Sequence, residues 1–267
     1  MDIRDIKDDV IYPEGNALES LFDLQKILVD HYVGIEGLPD YPIDINTKVS
    51  QTLIKDFNGR IIEELGEGFE SYEIMMDMFH RGMDEEDMIP HLQNFNEEIA
   101  DAIHFWLELM IFSGYESDKM RDWMKEIIDD TTQNKDGIRA WLEVAQLEVD
   151  SELQMKRIPC RWVIKDHMLE DEFLRGGRQL GTEKMKIMKQ FLWDITYHLQ
   201  IARNTLKNKP WKQSQMMTDT QQYEVQMLKA TLAMFKFFYF TGFTAESLYL
   251  IYFKKNKVNQ FRIKSKY

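Results

Sequence analysis

The sequence predicts an all-α fold, and three observations support this prediction. Proline and glycine are scarce, with 6 and 13 residues in a chain of 267, which disfavours a turn-rich β architecture. Several long segments repeat apolar residues at i, i+3, i+4 and i+7, the spacing of an amphipathic helix. Hydrophobic residues make up 44 % of the chain, enough to bury a sizeable core. The length suits one large domain or two small ones, and we predict a single helix-bundle domain over residues 1–267.

The periodic segments predict six helices, separated by a variable middle segment at about 116–180 and a glycine-containing connector at 173–185. Asn46 or Thr47 is a suitable N-cap for the second helix. Three glycines inside that helix cost about 1 kcal/mol each relative to alanine, which makes sense where a neighbouring backbone or a ligand comes close. The predicted helices span residues 17–35, 48–80, 88–113, 183–207, 219–241 and 244–255.

Composition and charge narrow the classes of function. The net charge of −13 argues against binding long nucleic acid, which requires a basic surface. The single cysteine, Cys160, cannot form an intrachain disulfide, and no secretory signal pattern is present at the N-terminus. The most apolar stretch, 227–243, contains Lys229 and Lys236, which favours a buried helix over a membrane span. We therefore expect a cytoplasmic protein that binds neither long nucleic acid nor membrane.

The C-terminal segment differs from the rest of this acidic chain. Residues 254–267 contain six Lys or Arg and no acid. A solvated basic tail is one interpretation, and a binding site for an anionic ligand is the other.

Two acidic stretches place carboxylates among large apolar residues. Glu64 and Glu67 are three residues apart, as are Glu98 and Asp101, so each pair lies on one helix face. Two such helices side by side would bring four carboxylates together, where they would repel one another and take up protons. A hard divalent cation such as Mg²⁺ removes that repulsion. The spacing favours a metal pocket between helices, with a solvated acidic face as the alternative, and no Cys/His spacing fits a zinc site.

The two halves of the chain, about 17–115 and 181–267, align with one another. Residues 54–65 align with 188–199, and 99–120 with 225–252. The alternatives are an internal duplication and a chance similarity between apolar helices. If the duplication is real, the second half has lost its acids and serves as scaffold and substrate clamp. The acids Glu64, Glu67, Glu98 and Asp101 fall on His198, Ile201, Gln226 and Lys229, respectively.

Three motifs resemble those of a known superfamily. "EELGE" (63–67) followed by "EIAD" (98–101) resembles the EExxE and ExxD signature of the all-α nucleoside triphosphate pyrophosphohydrolases. These include the MazG-type enzymes, the dimeric dUTPases and phage dCTPase–dUTPases. "ESLFDLQKIL" (19–28) resembles the first helix of dimeric dUTPases, and 248–267 resembles their last motif. Lys266 stands where that motif has glycine, and the Trp-rich stretch that usually follows EExxE is missing.

The resemblance implies a fold and an activity. The fold is a helix bundle of the all-α pyrophosphohydrolase type. The activity is Mg²⁺-dependent hydrolysis of a deoxynucleoside triphosphate, with dUTP favoured, to the monophosphate and pyrophosphate. The alternatives are the same reaction on dCTP, dTTP or a modified or purine deoxynucleotide, or a catalytically silent nucleotide-binding or regulatory protein. The resemblance also implies a homodimer, although two related halves could form a pseudo-symmetric monomer, and the host cytoplasm if the chain is phage-encoded.

The resemblance also implies roles for individual residues. Glu64 would orient and deprotonate a water, and would share more than one Mg²⁺ ion with Glu67, Glu98 and Asp101. The implied phosphate-binding residues are Lys255, Asn259, Arg262 and Tyr267. The implied nucleobase or sugar contacts are Gln25, His104, Phe105 and Asn256, although a lone histidine on an apolar face is also a common core residue.

Overall fold

The computed structural model describes residues 6–7, 10–127, 136–156, 163–165, 168–170, 177–208 and 216–265. The helices in these ranges are α1 (Ala17–Glu36), α2 (Lys48–His80), α3 (Glu85–Ser113), α4 (Ser117–Ile127), α5 (Gly137–Lys156), α6 (Gly177–Thr205), α7 (Thr220–Phe240) and α8 (Ala245–Ser265). Two short strands, β1 (Val163–Lys165) and β2 (Met168–Glu170), form an antiparallel pair. The fold is all-α, as the sequence predicts.

The first three predicted helices correspond closely to α1, α2 and α3. The Thr47 side chain caps α2 by accepting a hydrogen bond of 3.1 Å from the backbone N–H of Ser50. Helix α3 begins at Glu85, earlier than predicted, and has three acids in its first turn. Those acids complement the positive end of the helix dipole, which helps to explain the earlier start.

The middle segment is more helical than predicted. Helix α5 packs against α7, and it buries Trp141 and Val149 in the core. Helix α6 begins at Gly177, inside the region where a connector was expected. Cys160 lies outside the described residues.

The C-terminal basic segment also differs from its prediction, because α8 continues to Ser265 instead of ending near 255. The reason is tertiary packing. Helix α8 lies against α1 and α3, and it buries Tyr252, Lys255, Asn256 and Val258. This segment is therefore helical over 254–265, with residues 254–260 buried or partly buried and most of 261–265 exposed.

Two antiparallel helix pairs dominate the bundle. In the α2–α3 pair, Phe57 stacks on Phe112 with ring centroids 5.5 Å apart. In the α6–α7 pair, Phe191 contacts Phe240 at the same separation. Helices α1 and α8 pack across α3 and, with α2, they surround one cavity. Within the described ranges, no helix combines the length and the apolar character that crossing a membrane requires.

Candidate active site

The helices α2 and α3 approach closely beside a glycine. A Cβ atom added at Gly68 would lie 3.3 Å from the Cβ of Glu98, tighter than ordinary van der Waals contact. Gly68 therefore lets the two helices come together where their acids meet. The expected close approach holds there only, since Gly59 and Gly66 have open space where a Cβ would be.

Three of the predicted metal ligands form a compact cluster. Carboxylate oxygens of Glu64, Glu67 and Glu98 lie within 4.8 Å of one another, with Glu67 exposed and the other two partly buried. Burial, the charge of Asp101 and a hydrogen bond to Glu98 raise the pKa of Glu64 to about 8. Burial also raises the pKa of Glu98. Crowded acids that retain protons are the arrangement that a divalent cation would relieve.

The fourth predicted ligand, Asp101, pairs with a lysine. The Nζ atom of Lys255 lies 2.6 Å from Asp101 Oδ2 and 2.8 Å from Glu97 Oε1. Burial raises the pKa of Asp101, and the positive charge of Lys255 opposes that shift. Lys255, a predicted phosphate ligand, thus pairs with Asp101, a predicted metal ligand. This ion pair joins α8 to α3.

A cavity of about 300 Å³ lies beside the cluster, between α1, α2, α3 and α8. The cavity extends along α3 from Asp101 to Glu108, which is seven residues later and about 10 Å away. Charged side chains line it near both residues, and Leu28, Leu53 and Phe57 contribute apolar surface. The predicted site residues in the lining are Glu64, Asp101, His104, Phe105, Lys255, Asn259 and Arg262.

Gln25 and Asn256 do not belong to that lining, although both were predicted to contact the base or sugar. Gln25 is fully buried, and its Nε2 donates to Glu108 Oε1 at 2.9 Å. Its Oε1 accepts from the Tyr252 hydroxyl at 2.8 Å and lies 2.7 Å from His104 Nδ1. Asn256 donates to Tyr252 in turn. These amides hold the cavity wall, and their contact with a base stays a prediction.

His104 is part of that wall. Its ring stacks on Tyr252 with centroids 4.4 Å apart, and only 4 % of the residue is exposed. Burial lowers the pKa of His104 to about 3, so the ring is neutral at physiological pH. The last predicted phosphate ligand, Tyr267, lies outside the described residues.

The sequence interpretation missed three charged residues of the cavity, Glu36, Arg60 and Glu108. The Arg60 guanidinium lies 5.3 Å from the ring centroid of Phe105, within the range of a cation–π contact. Glu108 is buried, and burial raises its pKa to about 8. Helical spacing could have found Arg60, since it is four residues before Glu64 on the same helix.

The fold and the acidic motifs are those of the all-α, MazG-like superfamily. Within it, a family model described as dUTPase matches residues 85–267, and the chain belongs to the dUTPase family. The match includes α3 and α8, which carry Asp101 and Arg262, and it begins after α2, which carries Glu64. No curated protein and no solved structure matches the chain.

Proposed function

We propose that this protein hydrolyses a deoxynucleoside triphosphate, with dUTP favoured, to the monophosphate and pyrophosphate in a Mg²⁺-dependent reaction. One observation carries the proposal: the Glu64, Glu67 and Glu98 carboxylates converge beside a cavity lined by Lys255 and Arg262. Anionic metal ligands next to cationic side chains suit a metal-bound triphosphate. Membership in the dUTPase family supports hydrolysis of dUTP or a related nucleotide.

The donor set fits Mg²⁺, because it consists of carboxylate oxygens, the hard ligands that this ion prefers. The raised pKa values of Glu64 and Glu98 reflect a crowding that a divalent cation would relieve. Glu64, Glu67 and Glu98 would hold the ion, and Asp101 would join them once Lys255 turns to a phosphate. When bound, Mg²⁺ would neutralise phosphate charge and polarise the reacting phosphorus.

Glu64 is the member of the three-carboxylate cluster that also lines the cavity, which supports a role in holding a water against the substrate. In the proposed reaction a water oxygen bonds to phosphorus as the anhydride between the α- and β-phosphates breaks. Glu64 accepts the proton that the water loses, the role of a general base. Pyrophosphate leaves with the electron pair of the broken bond.

Helix α8 supplies the groups that bind the phosphate chain. Arg262 can bind phosphate oxygens with two parallel N–H donors, and Asn259 adds a neutral donor beside it. Lys255 already lies close to Asp101, so it can bridge the metal site and the phosphates. The remaining length of the cavity, about 10 Å from Asp101 to Glu108, suits a sugar and a base.

A single assay tests the proposal. Pyrophosphate release is measured with Mg²⁺ and with EDTA on dUTP, dCTP, dTTP, dATP and dGTP. We expect turnover that requires Mg²⁺ and is fastest with dUTP. Faster turnover of another deoxynucleotide would change the assigned base and keep the reaction. Nucleotide binding without turnover would overturn the proposal in favour of a catalytically silent nucleotide-binding protein.

A further inference from the structure

Glu108 is a buried acid at the far end of the cavity from Asp101, and the reaction proposed above does not use it. It lines the cavity while only 7 % of the residue is exposed. Among the described residues, its carboxyl group accepts a hydrogen bond from Gln25 and makes no ion pair. Arg60, whose positive charge lowers the pKa of Glu108, pairs instead with Asp56 at 2.9 Å. A carboxyl group is costly to bury in this way, which points to a ligand contact.

The neighbours of Glu108 fix which of its oxygens is available. The Tyr252 hydroxyl donates to Gln25 Oε1, so Gln25 presents its Nε2 to Glu108 Oε1. Oε1 is therefore an acceptor, and Oε2 is the oxygen that can carry a proton. The carboxyl group thus offers a donor and an acceptor side by side.

We propose that Glu108 reads the base of the substrate by pairing with the N3–C4 edge of a pyrimidine. This inference rests on the proposed function, because it takes the end of the cavity near Asp101 as the phosphate site. With uracil, Oε2–H donates to O4 while N3–H donates to Oε1. With cytosine, Oε2–H donates to N3 while the exocyclic amine donates to Oε1.

The position of Glu108 favours a pyrimidine over a purine. It lies about 10 Å along α3 from Asp101, a span that suits a sugar and a single-ring base beyond the phosphate site. The second ring of a purine would carry the corresponding edge farther from the sugar. The methyl group of thymine lies on C5, outside this edge, so Glu108 does not separate uracil from thymine.

The electrostatic surroundings keep the Glu108 donor in place at neutral pH. Burial raises the pKa of Glu108 to about 8, Glu36 adds to the rise, and Arg60 and the Gln25 hydrogen bond oppose it. The other titratable groups nearby stay neutral, because burial raises the pKa of Tyr32 to about 12 and that of Tyr252 well above its ordinary value, and lowers that of His104 to about 3. Above pH 8 the ionised carboxylate loses its donor, and the pairing weakens.

The experiment compares dUTP with N3-methyl-dUTP, which has nearly the same size but no N3–H. We expect kcat/KM to favour dUTP by about 10- to 100-fold at pH 7, the range of one bidentate base contact. In Glu108→Leu that preference should fall to nearly one. Glu108→Gln keeps an N–H donor and a carbonyl acceptor, so it should retain most of the preference. Glu86→Gln, an exposed acid on the same helix, serves as the control and should match the wild type.

A pH series sharpens the test. The wild-type preference should shrink between pH 7 and 9, whereas that of Glu108→Gln should stay constant because its amide does not titrate. A folded Glu108→Leu or Glu108→Gln protein that keeps the wild-type preference and its pH dependence would overturn the inference.

Binding of dUMP and N3-methyl-dUMP by calorimetry separates this inference from the proposed reaction. Discrimination between the two monophosphates without any turnover would end the pyrophosphohydrolase proposal and keep the base-reading role. Turnover of dUTP without discrimination in either assay would keep the pyrophosphohydrolase proposal and end the base-reading role.

Discussion

The helix pairs α2–α3 and α6–α7 have the same antiparallel arrangement and differ in the polar groups at their centres. In α2–α3, Glu64 forms a hydrogen bond with Glu98, and both carboxyl groups have raised pKa values. In α6–α7, His198 Nδ1 lies 2.8 Å from Gln226 Oε1. An imidazole ring and an amide can satisfy each other by a hydrogen bond, whereas two carboxyl groups must share a proton or bind a cation. The polar groups of α6–α7 thus need no ligand, whereas those of α2–α3 would be stabilised by binding a cation.

The sequence alignment of the two halves placed Glu64 on His198 and Glu98 on Gln226. In the structure Glu64 contacts Glu98, and His198 contacts Gln226. A common ancestor for the halves stays a prediction. The residue aligned with Asp101, Lys229, is exposed on α7, so no charge replaces the missing acid inside that pair. We therefore expect the chemistry to lie in the first half, with α8 as the contribution of the second.

The largest expected effect comes from breaking the acidic pair. Glu64→Gln should lower kcat by about 10²–10⁴-fold, the contribution of a positioned general base, while the protein stays folded. Asp101→Asn should cause a similar loss through the metal site. The matched change in the other pair, His198→Gln, should leave kcat within a factor of two or three. Full activity in purified Glu64→Gln would remove the catalytic assignment.

The contrast between the pairs shows which features a sequence can predict. Helices α1 to α3 and the spacing of the acids follow from local periodicity, so the sequence predicted them. The length of α8 does not, because its polar residues Lys255 and Asn256 are buried by partners more than a hundred positions earlier in the chain. Glu108 was missed for the same reason: its partner Gln25 lies on another helix, and a lone glutamate in a helix normally indicates solvent.

The second prediction concerns the contribution of α8 to the α2–α3 site. Arg262→Ala should raise KM for the triphosphate by about 10- to 100-fold, the effect of losing a charge-assisted hydrogen bond. Lys264→Ala removes an exposed positive charge from the same helix and should have little effect. An equal rise in KM in the two variants would mean that α8 acts only through its overall charge. Raising the salt concentration would then abolish the rise in both variants. Deletion of residues 255–267 is a poorer test, since it removes Lys255 and Asn256, which are part of the core.

The third prediction uses the stability of the metal-free protein. The folded-state pKa of Glu64 is about 8 instead of 4.5, so between these values the folded protein binds more protons than the unfolded chain. Stability should therefore fall as the pH rises through that window, and Glu98 and Asp101 act in the same direction. Melting temperatures from circular dichroism in EDTA should show a smaller fall for Glu64→Gln, and Mg²⁺ should reduce the wild-type fall. His198→Gln should keep the wild-type slope, and a wild-type stability that rises from pH 5 to 8 would contradict the protonated acidic cluster.

The smallest expected effect comes from replacing the polar residues between α6 and α7 with the acids found between α2 and α3. The double variant His198→Glu, Gln226→Glu places two carboxyl groups between α6 and α7, at one partly buried and one buried position, where like charges should lower the melting temperature at pH 8. The double variant offers a metal ion two carboxylates, whereas three converge in α2–α3. The residue aligned with Glu67 is Ile201, whose side chain has no oxygen. Mg²⁺ should therefore restore the melting temperature only partly and at much higher concentrations than the α2–α3 site requires. Mn²⁺ titration followed by electron paramagnetic resonance measures both affinities in one sample, with Glu64→Gln added to the double variant to remove the first site. Tight binding at the new pair would show that two facing carboxyl groups between these helices suffice, and the third acid and Asp101 would then need another explanation.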